Sequence, residues 1–561
     1  MQDFGRTILV NRGNSTLLSD NALSVNNSGR DTSTMGKKVA VIGAGASGLV
    51  AIKSCLEEGL EPTCFERTED IGGLWRFKEN PEEGRASIYK SVIINTSKEM
   101  MSYSDFPIPD DFPNFMHNSK IFQYFKMYAE HFQLIQYIRF KTSVCSVKKR
   151  PDFATSGQWE ITTEKDGKRE SDIFDAVLVC SGHHTEAHIP LETFPGIERF
   201  KGRYIHSRDY KNPEEFQGKR VIVIGIGNSG GDIAVELSRT ASQVFLSTRR
   251  GSWILNRVSD YGYPVDMLHS TRFLNTLKNC APNFLINHVA QSKLNQRFDH
   301  ANYGIKPKHG VFSQHPMVND DLPNRIIAGT VLVKSNVAKF TETDAIFDDE
   351  TVEKNIDAVI FATGYTFSFP FCEELKVQHN KVSLYKYTFL PELEKQTLAV
   401  IGLIQPLGAI MPISELQCRL AARIFTGEKL LPSASDMKED IRKKKLEMEK
   451  RYVCSQRHTI QVDYMDFMDE LAELLGVKPN YLNLFLSDPK LAWNIYFGPC
   501  TPYQYRLTGP GKWVKARSTI LTQWDRTLKP MKTRYVEPSS GFSFLHVIIG
   551  LVVLLAVVFF Y

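Results

Sequence analysis

Chemistry on a phosphorylated ligand is written most densely in two glycine clusters. The first, Gly43-Ala44-Gly45-Ala46-Ser47-Gly48, follows the apolar run 39–42. The second, Gly225-Ile226-Gly227-Asn228-Ser229-Gly230-Gly231-Asp232, follows the apolar run 221–224, 182 residues later (43 to 225). In each, one glycine admits a tight turn after a buried strand, and the next lets backbone N–H groups approach a pyrophosphate. The third lets the following helix pack on the strand with its positive N-terminal dipole facing the phosphates. The two units part company at the end of their second strand. Glu66 closes the next apolar run, 62–65, 18 residues past Gly48, where a carboxylate accepts a ribose hydroxyl. The corresponding run of the second unit, 243–247, closes on Thr248-Arg249-Arg250. A carboxylate there would repel a 2′-phosphate, whereas a guanidinium binds one bidentately. The first cluster therefore suits FAD or NAD, and the second NADP.

Other residues stand where a bound dinucleotide could meet them. Gly72 and Gly73 would bring backbone close to a ligand with Leu74 and Trp75 beside them; a loop closing on a core tryptophan accounts for the same residues. Ser91-Val-Ile-Ile94 is an apolar run that ends, as a strand would, on Asn95, Thr96 and Ser97, three side chains able to hydrogen-bond. Asn95-Thr-Ser is also a glycosylation sequon, relevant only to a luminal domain. His183 and His184 have no Cys, Asp or Glu at metal-ligand spacing, so no metal is expected.

Positioning these loops requires two α/β units of alternating strand and helix. Residues 174–182 and 357–365 each read as a return strand closing one unit. The expected organisation is a disordered extension (1–34), a first dinucleotide domain in two parts (35–188 and 365–476) and a second in two parts (189–251 and 326–364). A mostly helical insertion (252–325) interrupts the second, and a membrane-proximal region (477–541) leads to 542–561. That last stretch holds 20 residues without a charge. At 1.5 Å per residue it spans about 30 Å, the hydrocarbon thickness of a bilayer, and Lys529, Lys532 and Arg534 precede it. It reads as a transmembrane tail anchor on a cytosolic body.

Composition narrows the classes. A net charge of +5 over 561 residues, with no long basic run, gives no reason to expect nucleic acid. The nine cysteines include no Cys-x-x-Cys pair, which fits free thiols in a reducing compartment. It also argues against a disulfide reductase built on the same double nucleotide fold.

Taken together, residues 35–561 resemble the vertebrate flavin-containing monooxygenases. The resemblance rests on both glycine clusters, on Gly73-Leu74-Trp75 and Ala362-Thr-Gly-Tyr365, and above all on Phe200-Lys-Gly202-Arg-Tyr-Ile-His206-Ser-Arg-Asp-Tyr210. The microbial Baeyer–Villiger branch has Trp where this chain has Tyr210. Ser313-Gln-His315-Pro and Asp320-Asp-Leu-Pro-Asn-Arg325 look most like the family's fifth form, and His315 stands where amine- and sulfide-oxidising forms usually have Glu.

The resemblance implies an α/β fold of two Rossmann-like domains, binding FAD and NADPH, with a helical insertion and a C-terminal transmembrane helix in the endoplasmic reticulum. It implies that NADPH reduces FAD and that O2 then forms a flavin C4a-(hydro)peroxide which oxygenates small lipophilic substrates. Ketones would give esters and some NADPH would be lost to H2O2; N- or S-oxygenation is the alternative. Ile94, Asn95 and Thr96 would line the flavin and nicotinamide, with Asn95 the catalytic residue. Whether His315 decides the oxygenation type stays open, as does assembly into a homo-oligomer. A membrane-tethered nucleotide sensor would explain the glycine loops and the tail, but not why Asn95 and the Phe200–Tyr210 signature accompany them.

Overall fold

The strands that carry the glycine clusters each form the centre of a five-stranded parallel sheet. The computed structural model describes residues 36–453 and 459–535. The chain divides at Gly36, and the unit that begins at Lys37 holds both sheets. These use β1 (Lys38–Ile42), β2 (Glu61–Phe65), β3 (Ile138–Arg139), β4 (Ala176–Val179), β5 (Arg203–His206), β6 (Arg220–Ile224), β7 (Gln243–Ser247), β8 (Val331–Lys334), β9 (Ala358–Phe361) and β10 (Leu398–Val400). The first has the order β10-β4-β1-β2-β3, the second β8-β7-β6-β9-β5. The chain leaves the first sheet after β4 and returns after β9. The two crossings pair as Glu186–Ala187 against Tyr365–Thr366.

Parallel sheets need cover on both faces, and the strand sequences supply it as continuous apolar runs. Along β1, Val39 and Val41 join a core with Leu49 and Ile52 of α1 (Ala46–Glu57), while Ala40 and Ile42 join a second with Trp159 and Phe174. Along β6, Val221 and Val223 pack with Ile233 and Ala234 of α2 (Asn228–Leu237), and Ile222 and Ile224 face Phe194 and Phe200. The 74-residue stretch 252–325 carries helices Val265–His269, Arg272–Cys280, Asn283–Asn295 and Leu322–Ile327. A two-residue parallel pair, Ile254–Leu255 with Met317–Val318, closes its ends onto the second sheet.

Residues 477–535 are bound into the first unit. Tyr505 belongs to its main core, Tyr503 Oη donates to Glu99 (2.8 Å), and Asn114 Nδ2 donates to the Thr527 carbonyl (2.9 Å). Arg506, 1% exposed, meets Glu415 (2.8 Å), Asp105 (2.9 Å) and Glu57 (3.4 Å), and Lys53 pairs with Asp105 and Glu57. These ions link α1 to helix α3 (Met411–Thr426) and to the 502–506 turn.

The expected extension (1–34) and tail anchor (542–561) lie outside the described residues. No helix among the described residues is long and apolar enough to cross a membrane.

Removing the Arg506 guanidinium from this ion cluster leaves the buried Glu415 carboxylate, and that of Asp105, without its charge. Arg506→Met is expected to destabilise by about 3–5 kcal/mol, seen as a clear drop in the unfolding midpoint. Arg517→Met, at a surface pair with Asp488, should leave the midpoint in place. Equal midpoints for the two variants would show that the cluster does not hold the C-terminal residues.

Candidate functional site

Both glycine turns lie at the carboxyl ends of the central strands, where open α/β sheets bind ligands. Gly43 (φ 98°) and Gly225 (φ 109°) occupy left-handed backbone that favours glycine. A Cβ on Gly48 would sit 1.8 Å from the Gly43 carbonyl oxygen, and one on Gly230 1.9 Å from that of Gly225. These positions must be glycine for the helix to start where it does. At Gly231 a Cβ would meet only the flexible end of Met317 (Cε at 1.8 Å), which can turn aside.

The middle glycines differ. Gly45 (φ −78°, ψ −164°) and Gly227 (φ −81°, ψ −177°) have backbone any residue adopts. A Cβ on Gly227 would meet nothing within 4 Å, and one on Gly45 only Gly73, at 3.5 Å or more. The protein itself does not require glycine there; a ligand pressed against bare backbone would. The residues therefore fit the two dinucleotides. FAD would take the N-terminus of α1 and NADPH that of α2, with the phosphates facing unpaired N–H groups.

Glu66 is buried at the end of β2. Its Oε2 accepts from the Ala44 N–H (2.8 Å), and Oε1 from the N–H and hydroxyl of Thr68 (2.9 and 2.8 Å). The carboxylate holds the glycine turn and keeps about one acceptor site, on Oε2, for a ribose hydroxyl. At the second site, Thr248 Oγ1 accepts from Gly251 N–H (3.0 Å), while Arg249 and Arg250 are exposed and make no hydrogen bond or ion pair among the described residues. Of the flanking residues, the Ala46 carbonyl accepts from Tyr103 Oη (2.7 Å), and Ser47 Oγ bonds Ser414 Oγ (3.2 Å). Ser229 is half-buried at the start of α2.

Three expected ligand contacts are taken up inside the protein. The Asp232 carboxylate accepts from Tyr89 Oη (2.6 Å) and Asn319 Nδ2 (2.7 Å), and burial raises its pKa. Asn228 Oδ1 accepts from Val318 N–H (2.8 Å). Both side chains fasten α2 to neighbouring segments. Trp75, at the end of the 3₁₀ turn Gly73–Trp75, packs against the main core, and Leu74 is half-buried.

Segment 91–97 is not a strand. Ile93 forms a single bridge to His117, Ile94 N–H donates to the Met116 carbonyl (2.9 Å), and Ser97 precedes the helix Lys98–Met101. Without a neighbouring strand to pair with, Asn95 and Thr96 sit half-buried in a bend. Asn95 Oδ1 accepts from Arg257 Nη2 (2.7 Å), and Ser97 N–H donates to Asp266 Oδ2 (2.7 Å). Burial pushes the Asp266 carboxyl up to about 6. His315 is tied to a different part of the chain, Gln461 Nε2 donating to its Nδ1 (3.0 Å). The two catalytic candidates, Asn95 and His315, thus have different partners.

The Phe200–Tyr210 signature acquires a physical role. Phe200 is core, a Cβ on Gly202 would sit 2.7 Å from the Asp357 carbonyl oxygen, and Tyr210 Oη donates to Glu236 (2.8 Å). Arg208 donates to the carbonyls of Arg85 (2.7 Å) and Glu82 (2.5 Å), and Arg85 Nη2 donates to the Gly73 carbonyl (2.6 Å). The signature thus reaches, through loop 82–90, the glycine pair beside the first turn. Burial keeps His183 and His206 neutral, each with its pKa lowered to about 4. No group of three or more His, Cys, Asp or Glu among the described residues could hold a metal.

Residues 36–561 match the family model described as flavin-binding monooxygenase-like. The chain is 68% identical over 507 residues to flavin-containing monooxygenase 5 of Oryctolagus cuniculus, covering 90% of this chain and 95% of that protein. It is 58% identical over 522 residues to dimethylaniline monooxygenase [N-oxide-forming] 2 of Cavia porcellus, covering 92% and 98%. Among solved structures, the S-allyl-L-cysteine S-oxygenase of Allium sativum superposes with a TM-score of 0.60 at 23% identity, over 82% of this chain and 95% of that one; this likeness is one of fold.

The glycines separate folding from binding. Gly227→Ala should change stability by less than about 1 kcal/mol yet weaken NADPH at least tenfold in a titration, because its methyl group enters ligand space alone. Gly230→Ala should lower the unfolding midpoint even without nucleotide. Undiminished NADPH affinity in Gly227→Ala would contradict the phosphate site.

Proposed function

The chain belongs to the flavin-binding monooxygenase-like family and uses FAD and NADPH, and on that premise we propose that it inserts oxygen into small lipophilic ketones and aldehydes to give esters. The observation that carries the two-nucleotide reading is the pair of matched glycine cradles with opposite ribose chemistry, Glu66 at one and unpaired Arg249 at the other. When bound, FAD accepts hydride from NADPH and activates O2. The protein's part is to hold the two nucleotides, orient them through loops 72–75 and 91–97, and keep water out.

The ketone preference draws on the 68% identity to a flavin-containing monooxygenase 5 and on His315, which supplies an imidazole where a carboxylate would place negative charge. Asn95 is assigned the catalytic role beside flavin and nicotinamide, with Ile94 and Thr96 flanking it. NADPH oxidation to H2O2 is assigned as a side reaction. The 58% identity to an N-oxide-forming dimethylaniline monooxygenase favours, as the second reading, oxygenation of amines and sulfides. Residues 542–561 are assigned as a tail anchor in the endoplasmic reticulum membrane, with the catalytic body cytosolic, because 20 uncharged residues match the bilayer core.

Product analysis with isotopically labelled O2, a ketone and a thioether tests the proposal. Labelled ester from the ketone is the expected result. S-oxide alone would overturn the ketone assignment and keep the oxygenase. Stoichiometric H2O2 with neither product would overturn oxygen transfer.

A further inference from the structure

The insertion between β7 and β8 grips segment 95–97 at two points, each a hydrogen bond with an ionisable side chain of the insertion. From one side Arg257 Nη2 donates to Asn95 Oδ1 (2.7 Å); from the other Asp266 accepts the Ser97 N–H (2.7 Å). Arg257 is itself held closely. Its backbone N–H donates to Asp320 Oδ1 (3.1 Å), its Nη1 to Asp320 Oδ2 (3.2 Å), and its carbonyl accepts from Val265 N–H (2.9 Å). Asp320 is fixed in turn by Arg297 Nη2, which donates to its carbonyl (2.9 Å). Arg257 comes two residues after the Ile254–Leu255 strand that pairs with Met317–Val318, so its backbone is anchored to the second unit.

A guanidinium carries donors and no acceptor. Whatever faces Arg257 must accept, so Asn95 is obliged to turn its oxygen toward Arg257 and its amide nitrogen away. The side-chain orientation of an asparagine is normally ambiguous between O and N; here the partner removes the ambiguity. Asn95 Nδ2 makes no hydrogen bond among the described residues and keeps both protons for a ligand.

We propose that Arg257 is the positioning residue of the reaction: it fixes the Asn95 amide with its N–H donors, rather than its oxygen, presented to the cofactors. The proposal rests on the assignment of Asn95 beside flavin and nicotinamide. A freely rotating amide would present the wrong end part of the time, and reducing equivalents would escape by NADPH + H⁺ + O2 → NADP⁺ + H2O2. Arg257 acts here through Asn95 and touches no reacting atom.

The test uses the full-length FAD-loaded protein and measures NADPH oxidation with H2O2 release in the absence of organic substrate. Arg257→Met, Arg257→Lys, Asn95→Ala and the double variant Asn95→Ala/Arg257→Met are compared, with FAD content and unfolding midpoint recorded for each. Arg257→Met and Asn95→Ala should each raise the rate about tenfold, the scale of one charge-assisted hydrogen bond, with FAD content unchanged. The double variant should match the single ones, and Arg257→Lys should fall between wild type and Arg257→Met. Multiplied effects in the double variant would overturn the proposal, since Arg257 would then act independently of Asn95. A wild-type rate in Arg257→Met beside a raised rate in Asn95→Ala would overturn it while leaving Asn95 its role. A wild-type rate in Asn95→Ala would remove Asn95 from the reaction and the proposal with it. If Arg257→Met loses FAD, Arg257→Gln, whose amide can present either a donor or an acceptor to Asn95, decides instead: an elevated rate there supports the proposal and a wild-type rate rejects it.

Discussion

A missing methyl group sets the geometry on which both nucleotide sites depend. At Gly48 and Gly230 the first turn of a helix passes so close to the preceding loop that a Cβ would lie within 2 Å of a carbonyl oxygen. That approach brings the N-termini of α1 and α2 to the ends of β1 and β6. There the first N–H groups of each helix have no intrahelical partner and the helix dipole favours negative charge. Two apolar faces per sheet hold the strands rigidly enough for this placement to be reproducible. Each buried Val, Leu or Ile contributes about 1.5–3 kcal/mol toward that rigidity.

With the cradles fixed, the remaining problem is to hold the two sheets in register. Tyr89 reaches from the first unit to Asp232 on α2, and Arg208 reaches back to the carbonyls of Glu82 and Arg85. Asp232 shows what this demands. Burial penalises its charged form; donors from Tyr89 and Asn319 offset that penalty, the Tyr89 one only while the two sheets stay together. The bond between Arg257 and Asn95 belongs to the same set of ties, and it is the one that ends on the residue assigned to the chemistry.

The cradles could be read in the sequence because everything that defines them falls within about ten residues. Strand, three glycines and helix are local, and the acid or arginine closing the next strand comes at a regular distance. The contacts made across the fold were not readable in the same way. Arg257 and Asn95 are 162 residues apart, Tyr89 and Asp232 143, and Arg506 and Ser104 402. No local pattern marks an arginine whose partner is supplied by tertiary packing. Asp232 and Asn228 carry bonds of the same long-range kind. Their place just after a glycine cluster reads as ligand contact, and the segment Met317–Asn319 that packs against α2 adds hydrogen bonds to Asn228 Oδ1 and to the Asp232 carboxylate that no local pattern marks. The 91–97 run misleads because no strand lies beside it to pair with: Val92 and Ile94 pack against different cores and Ile93 between them is exposed. Trp75 is the milder case, where a core residue stands next to a ligand loop.

One fold that holds two nucleotides with different ribose preferences must pass electrons from one to the other. Anaerobic titration of the FAD-loaded protein with NADPH and with NADH, in wild type and Arg249→Ala, tests it most directly. NADPH should bleach the oxidised flavin band at one equivalent in the wild type. Arg249→Ala should weaken NADPH by about 1.5–3 kcal/mol, the value of a charge-assisted bond, and leave NADH unchanged. Equal weakening of both nucleotides, or a flavin band that persists with NADPH bound, would contradict the account.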